Sequence, residues 1–258
     1  MNHLLIVGAF LAVCMSTLAQ DSPKKDKEAW HRSEFPRPQM RNETRLCGRR
    51  NKASSWVCDP ANIISYEEAN QLDVLIGQTR NGTKCPCSEW ECIRNKLGYT
   101  ISVALVPAIE TDKDADDDVH TRLNDGKLFA SILEIRRWNY GRCEEDIVIF
   151  YSLNDNVLYT SVGGTAFKVL NHNLITEITM EASNYFGPNR DIARGLRHII
   201  SGYRNVFLGR YYSTKQGGGG GPRSGQQTAG GAQAIQSQTF MITSLAAVTL
   251  TALLYTQH

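Results

Sequence analysis

A single disulfide-stabilised α/β domain, with a small central β-sheet flanked by helices, is the fold class this 258-residue sequence predicts. Apolar residues recur at helical spacing in four segments and form three short β-rich runs. These alternate in the order α, β, α, β, β, α, α, an arrangement that packs helices onto a sheet. An even set of cysteines accompanies them.

Each element has a local cause. Ser65-Tyr66-Glu67-Glu68 has the spacing of a capping box, with Ile64 placed to staple against Ala69. Ala69, Leu72, Leu75 and Ile76 follow at helical spacing, and Asn81-Gly82 ends that helix. Residues 99–106 are β-rich and stop at Pro107, as a buried strand would. Residues 119–138, with Leu123, Ala130, Leu133 and Arg137 on one face, read as a second long helix. Residues 147–151 and 157–162 are strands joined by the turn signal Asn154-Asp155-Asn156. After the break at Gly163-Gly164, two amphipathic segments, 173–185 and 191–207, are separated by Gly187-Pro188.

The ends of the chain differ from its middle. Residues 1–20 and 225–258 carry no charged side chain except histidine, so the near balance of 28 basic and 26 acidic residues describes the middle alone. That balance argues against a nucleic-acid partner. No internal run approaches the roughly 20 apolar residues needed to cross a bilayer. Residues 4–13 form an apolar run of signal-peptide length ending near Ala19, which predicts a leader over 1–19. The C-terminal end has small residues at Ala229, Gly230 and Gly231, a polar spacer, and an apolar tail over 240–255 with no Lys or Arg after it. That order is the one expected of a glycosylphosphatidylinositol attachment signal, with a short membrane-spanning helix as the alternative for 239–258.

Loss of the leader removes Cys14 and leaves Cys47, Cys58, Cys85, Cys87, Cys92 and Cys143, which predicts three disulfides in an oxidising compartment. A bridge from Cys85 to Cys87 would close a strained ring, which leaves about 12 pairings open. The sequons at Asn42 and Asn81 point to an N-glycosylated ectodomain. Residues 20–52, with three prolines and a net basic charge, read as a disordered arm able to meet anionic glycans. The folded domain is then expected over 53–212. Residues 213–238, rich in Gly, Gln and Ser, form a tether with a reach of roughly 25–30 Å.

Catalytic signatures are absent: there is no G-x-S-x-G elbow, no H-E-x-x-H and no phosphate loop. His120, His172 and His198 fall at positions expected on helix surfaces. The run Asp112–Asp118 imitates the first ligands of a calcium loop, but Asp117 stands where glycine is required and Leu123 where a bidentate Glu belongs. A second acidic group, Glu144-Glu145-Asp146, stands before a strand and beside Cys143.

Trp56-Val57-Cys58-Asp59-Pro60 before a capped helix, the set Cys85, Cys87 and Cys92, and Trp138-Asn139-Tyr140-Gly141-Arg142-Cys143 before Ile147–Ser152 and Gly163 resemble the nematode modulator of levamisole receptor family, whose ectodomain is a TPM domain. The resemblance spans about 56–212. It implies a TPM-like sheet flanked by helices and a non-enzymatic auxiliary role at the cell surface. Such a protein raises the response of pentameric acetylcholine-gated channels in muscle. Broader TPM relatives include phosphatases and calcium binders, and by position their acidic ligands would fall on Asp59, Glu144, Glu145 and Asp146. The chain departs from their pattern at Cys143 and at Asn171, which stands where an aspartate is expected. A secreted metal-dependent acid phosphatase and a surface adhesion module are the alternatives. The phosphatase requires Asp59 and Asp146 to meet in one site, with Ca2+ the candidate ion.

Overall fold

A computed structural model describes residues 27–111 and 119–210. The leader, the acidic run 112–118, the tether and the attachment signal with Ala229, Gly230 and Gly231 lie outside the described residues. Four strands, β1 (Val57–Cys58), β2 (Thr100–Val106), β3 (Asp146–Ser152) and β4 (Val157–Val162), form one sheet in the order β1-β2-β3-β4. The first three run parallel, and β4 pairs antiparallel to β3. Between and after them stand α1 (Tyr66–Gly82), α2 (Glu89–Arg94), α3 (Val119–Ile132), α4 (Gly164–Phe167), α5 (His172–Ala182) and α6 (Ile192–Phe207). The expected α/β domain is therefore present, with a two-residue edge strand and a short helix that hydrophobic periodicity is too brief to reveal.

Strand β2 is buried at all seven positions because helices cover both faces of the sheet. Ile101, Val103, Leu105, Ile147, Ile149 and Tyr151 point to one side, where Leu72 and Ile76 of α1 and Leu196, Ile199, Ile200 and Tyr203 of α6 close the larger core. Ala104, Val106, Val148, Phe150 and Tyr159 point to the other, against Phe129, Ala130 and Leu133. Among the described residues, no helix is long and apolar enough to cross a membrane.

The predicted start of α1 is confirmed in detail. Ser65 accepts from the Glu68 amide, the Glu68 carboxylate accepts from the Ser65 amide at 2.8 Å, and Ile64 and Ala69 are buried together. Helix α3 continues as a π-helical turn, Leu133–Trp138, and ends where Asn139 adopts a left-handed φ of 43°.

The expectation of a disordered arm fails over residues 27–52, and with it the domain start at 53. Trp30 bridges Ile109, and Phe35 is wholly buried against Trp30, Phe129 and Trp138 in the second core. The carbonyls of Pro36 and Pro38 accept from the Trp138 indole at 2.9 Å and the Ser55 amide at 2.9 Å. A proline has no N–H to satisfy, so such a strap can pack along the domain with few orphan donors. Charges that composition assigns to solvent are consumed internally. Arg49, 1% exposed, binds Asp73 at 2.9 Å and the Tyr66 carbonyl at 3.0 Å, and Lys52 joins the same carboxylate at 2.9 Å. Arg37 pairs with Glu43, and Lys27 with Glu34.

Three disulfides form: Cys47–Cys58, Cys85–Cys92 and Cys87–Cys143. The first fastens the strap to β1, and the other two enclose α2. Cys85 does not pair with Cys87, in keeping with the strain expected of so short a ring. Asn42 and Asn81 are both exposed.

Candidate functional site: two groups of carboxylates at opposite ends of the sheet

Asp59 leaves β1 at its C-terminal end and turns its carboxylate back onto its own loop. There it accepts from the amides of Ile63 at 2.9 Å and Ile64 at 2.8 Å. Burial pushes this carboxyl up to about 6, against the opposing pull of those backbone donors. The side chain builds the turn into the capping residue Ser65, a structural task that occupies both of its oxygens.

Asp146 opens β3 at the other end. Register makes the separation plain: Cys58 lies level with Ala104, and Ala104 with Phe150, whereas Asp146 lies level with Thr100. At about 3.3 Å per residue, Asp59 and Asp146 are roughly 15 Å apart along the strands, with two strand spacings of about 4.8 Å between them. The single carboxylate centre that the phosphatase alternative requires is not assembled.

The loop before β3 is built from its motif residues. Trp138 buries its ring and anchors to the strap, Asn139 ends the helical turn, and Gly141 passes so close to Asp146 that a Cβ there would collide with Oδ1. Asp146 accepts from the Tyr140 amide at 3.0 Å, and burial holds its carboxyl above the ordinary range. Glu145 is fully buried and accepts from the amides of Arg142 at 2.7 Å and Cys143 at 2.8 Å, and from Arg142 Nε at 3.0 Å. The Arg142 guanidinium reaches on to the carbonyls of Asn95 at 2.6 Å and Leu97 at 2.7 Å, so Glu145 fixes the loop that follows α2. Glu144 is exposed with a left-handed φ of 62°, and its carbonyl receives the amides of Thr165 and Ala166. Asn171 caps α5 by accepting from the Leu174 amide at 3.2 Å.

Sequence patterns overlook one carboxylate of this corner. Glu134 lies in the π-helical turn, buried beside Ser161 at 3.4 Å. Burial, followed by the neighbouring Asp146 carboxylate, pushes it up to about 7. A Glu in an exposed-looking stretch with Arg136 and Arg137 gives no periodic sign that it turns inward. Among the described residues, the one group of His, Cys, Asp and Glu close enough to share an ion is Cys87, Cys143 and Glu145. Its two sulfurs are joined to each other and its carboxylate is held by Arg142. His198 lies beside Glu181 at 3.1 Å on the surface, and His172 sets its ring edge against Phe167.

Strap, sheet and cross-linked loops together define the class: an α/β domain stapled for an oxidising compartment, whose acidic residues organise loops. Residues 30–156 match the family model described as Modulator of levamisole receptor-1, and this domain belongs to that family. The match begins at Trp30, where the strap first joins the fold, rather than at Trp56. No curated protein matches the chain.

Proposed function

We propose that this protein is an extracellular, membrane-attached auxiliary protein that raises the agonist response of a nicotinic acetylcholine-gated channel of the levamisole-sensitive type. The observation that carries the reading is the family match over residues 30–156. Three disulfides, two exposed sequons and the tail composition of 225–258 support a place on the outer surface of a plasma membrane. Co-expression with a levamisole-sensitive receptor in oocytes tests it: agonist currents are expected to rise, and unchanged currents across the receptor subunit combinations would sink the proposal.

The role is a non-enzymatic one. Asp59 is committed to its own turn and stands far along the sheet from Asp146. Purified protein is expected to leave p-nitrophenyl phosphate intact from pH 5 to 8 with or without Ca2+; turnover abolished by Asp146→Asn would overturn this. For the attachment, phosphatidylinositol-specific phospholipase C is expected to release the protein from cells. Retention, with residues 240–255 still detected by mass spectrometry, would establish a spanning helix instead.

A further inference from the structure

Each of the two sequons is divided between surface and interior. Asn42 and Asn81 are exposed, while the threonines that complete their triplets are enclosed: Thr44 is 0% exposed and Thr83 4%. Thr44 opens a short 3-10 helix, Thr44–Cys47. Its hydroxyl donates to the Met40 carbonyl at 2.9 Å and is also faced by the carbonyls of Pro38 at 3.2 Å and Ala53 at 3.3 Å. Asn81 stands in the last turn of α1, and Thr83 ends that helix. The Thr83 hydroxyl donates to the Thr79 carbonyl at 2.8 Å and accepts from the Tyr99 amide at 3.0 Å. Gly98 passes so close that a Cβ there would collide with this hydroxyl.

Transfer of an N-glycan needs both halves of the triplet. The asparagine nitrogen displaces a lipid-linked pyrophosphate from the anomeric carbon of the donor glycan. The N–C bond forms as the C–O bond breaks, the pyrophosphate keeps the electron pair, and an amide proton passes to the transferase. The enzyme reads the threonine hydroxyl two residues on, so that hydroxyl has to reach it on an accessible segment. In the folded chain both hydroxyls are already spent on backbone partners, and one of the two asparagines lies within a helix.

We propose that the fold closes both sequons, so that Asn42 and Asn81 accept glycans only before their segments fold, in competition with the disulfides beside them. Cys47 follows Thr44 by three residues, and Cys85 follows Thr83 by two. Their bridges, Cys47–Cys58 and Cys85–Cys92, join residues 11 and 7 apart, short loops whose closure costs little chain entropy. The first fastens the strap that carries Thr44. Beyond the second, the Gly98 amide donates to the Arg80 carbonyl at 2.7 Å, which brings the chain back over Thr83. A glycan already in place is compatible with the fold, since each asparagine is exposed. A molecule that folds bare at either site stays bare there. In cells the inference rests on the extracellular placement proposed above, because the transferase faces the secretory lumen.

The test uses the full chain carrying Gln226→Asn, which makes an Asn-Gln-Thr triplet in the Gly/Gln/Ser-rich segment 213–238 as an internal reference acceptor. It is made in cells whose donor-glycan synthesis is blocked and purified in detergent with its disulfides intact. One portion is left folded; the other is reduced and alkylated at its cysteines. Both are offered to oligosaccharyltransferase with a lipid-linked donor, and occupancy at residues 42 and 81 is read by peptide mass spectrometry relative to the reference site. The alkylated chain is expected to be glycosylated at both asparagines, and the folded chain less by at least about tenfold at each, because presentation requires local opening of the fold. Comparable occupancy of the two forms at either asparagine overturns the proposal. Failure of the alkylated chain to accept at either site overturns it as well, since that triplet is then no acceptor. The result is independent of the receptor recordings: it can fail while potentiation stands, and a lack of potentiation leaves it unchanged.

Discussion

Two buried charged side chains behave in opposite ways. Arg49 is matched by Asp73, the Tyr66 carbonyl and Ser55, so its removal would leave the half-buried Asp73 carboxylate with Lys52 as its remaining cation and empty a fully enclosed site. Arg49→Ala is expected to cost about 3 kcal/mol, measured by urea denaturation. Glu134 has little to offset its burial, and the sign of its effect follows from its raised value. Between about pH 4.5, where it ionises in the unfolded chain, and about pH 7, where it ionises in the fold, the folded protein holds the extra proton. Stability contributed by this site is therefore full below pH 4.5 and is lost as pH rises to 7. Glu134→Gln is expected to remove that loss, so its advantage over the wild type should be larger at pH 8 than at pH 4.5. Equal shifts of the urea midpoint at the two pH values would refute it. Neither partner set is readable from the sequence, because both are assembled by residues from separate elements.

Elements with their own periodicity were legible in the sequence: α1 with its capping box, β2 ending at Pro107, the β3–β4 hairpin, and the α5 and α6 stripes. Those that owe their existence to neighbours were not. Strand β1 is two residues registered on β2, and α2 exists through its cross-links. The acidic triplet was visible as a group, but each member faces a different way once φ at Glu144 turns positive. The two disulfides around α2 should separate experimentally. Cys87–Cys143 closes a separation of 56 residues, for which chain entropy predicts about 4 kcal/mol, against about 2 kcal/mol for the 7 residues of Cys85–Cys92. Replacing the first pair with serine should lower the global midpoint by the larger amount. Replacing the second should chiefly speed amide exchange at 89–94, since α2 buries nothing.

At the scale of the whole molecule, the strap sets where the domain begins. A fragment of residues 27–210 is expected to fold with sharp near-ultraviolet dichroism, whereas one beginning at 53 lacks Phe35, Cys47 and Arg49 and should expose its second core to a hydrophobic dye. A native-like spectrum from the shorter fragment would show the strap to be dispensable. Composition misjudged this segment because it averages over residues. Two aromatic side chains and one buried arginine outweigh a polar background once a groove exists to receive them.

The stack of Phe207 on Tyr99 has a mechanical consequence. A pull on the chain beyond Arg210 reaches the fold where the last turn of α6 rests on the first turn into β2, an interior strand paired on both sides. Load applied through that end of the chain would thus pass into the middle of the sheet instead of peeling away an edge. Phe207→Ala should let α6 detach at a lower force in single-molecule extension while leaving the rest of the domain folded.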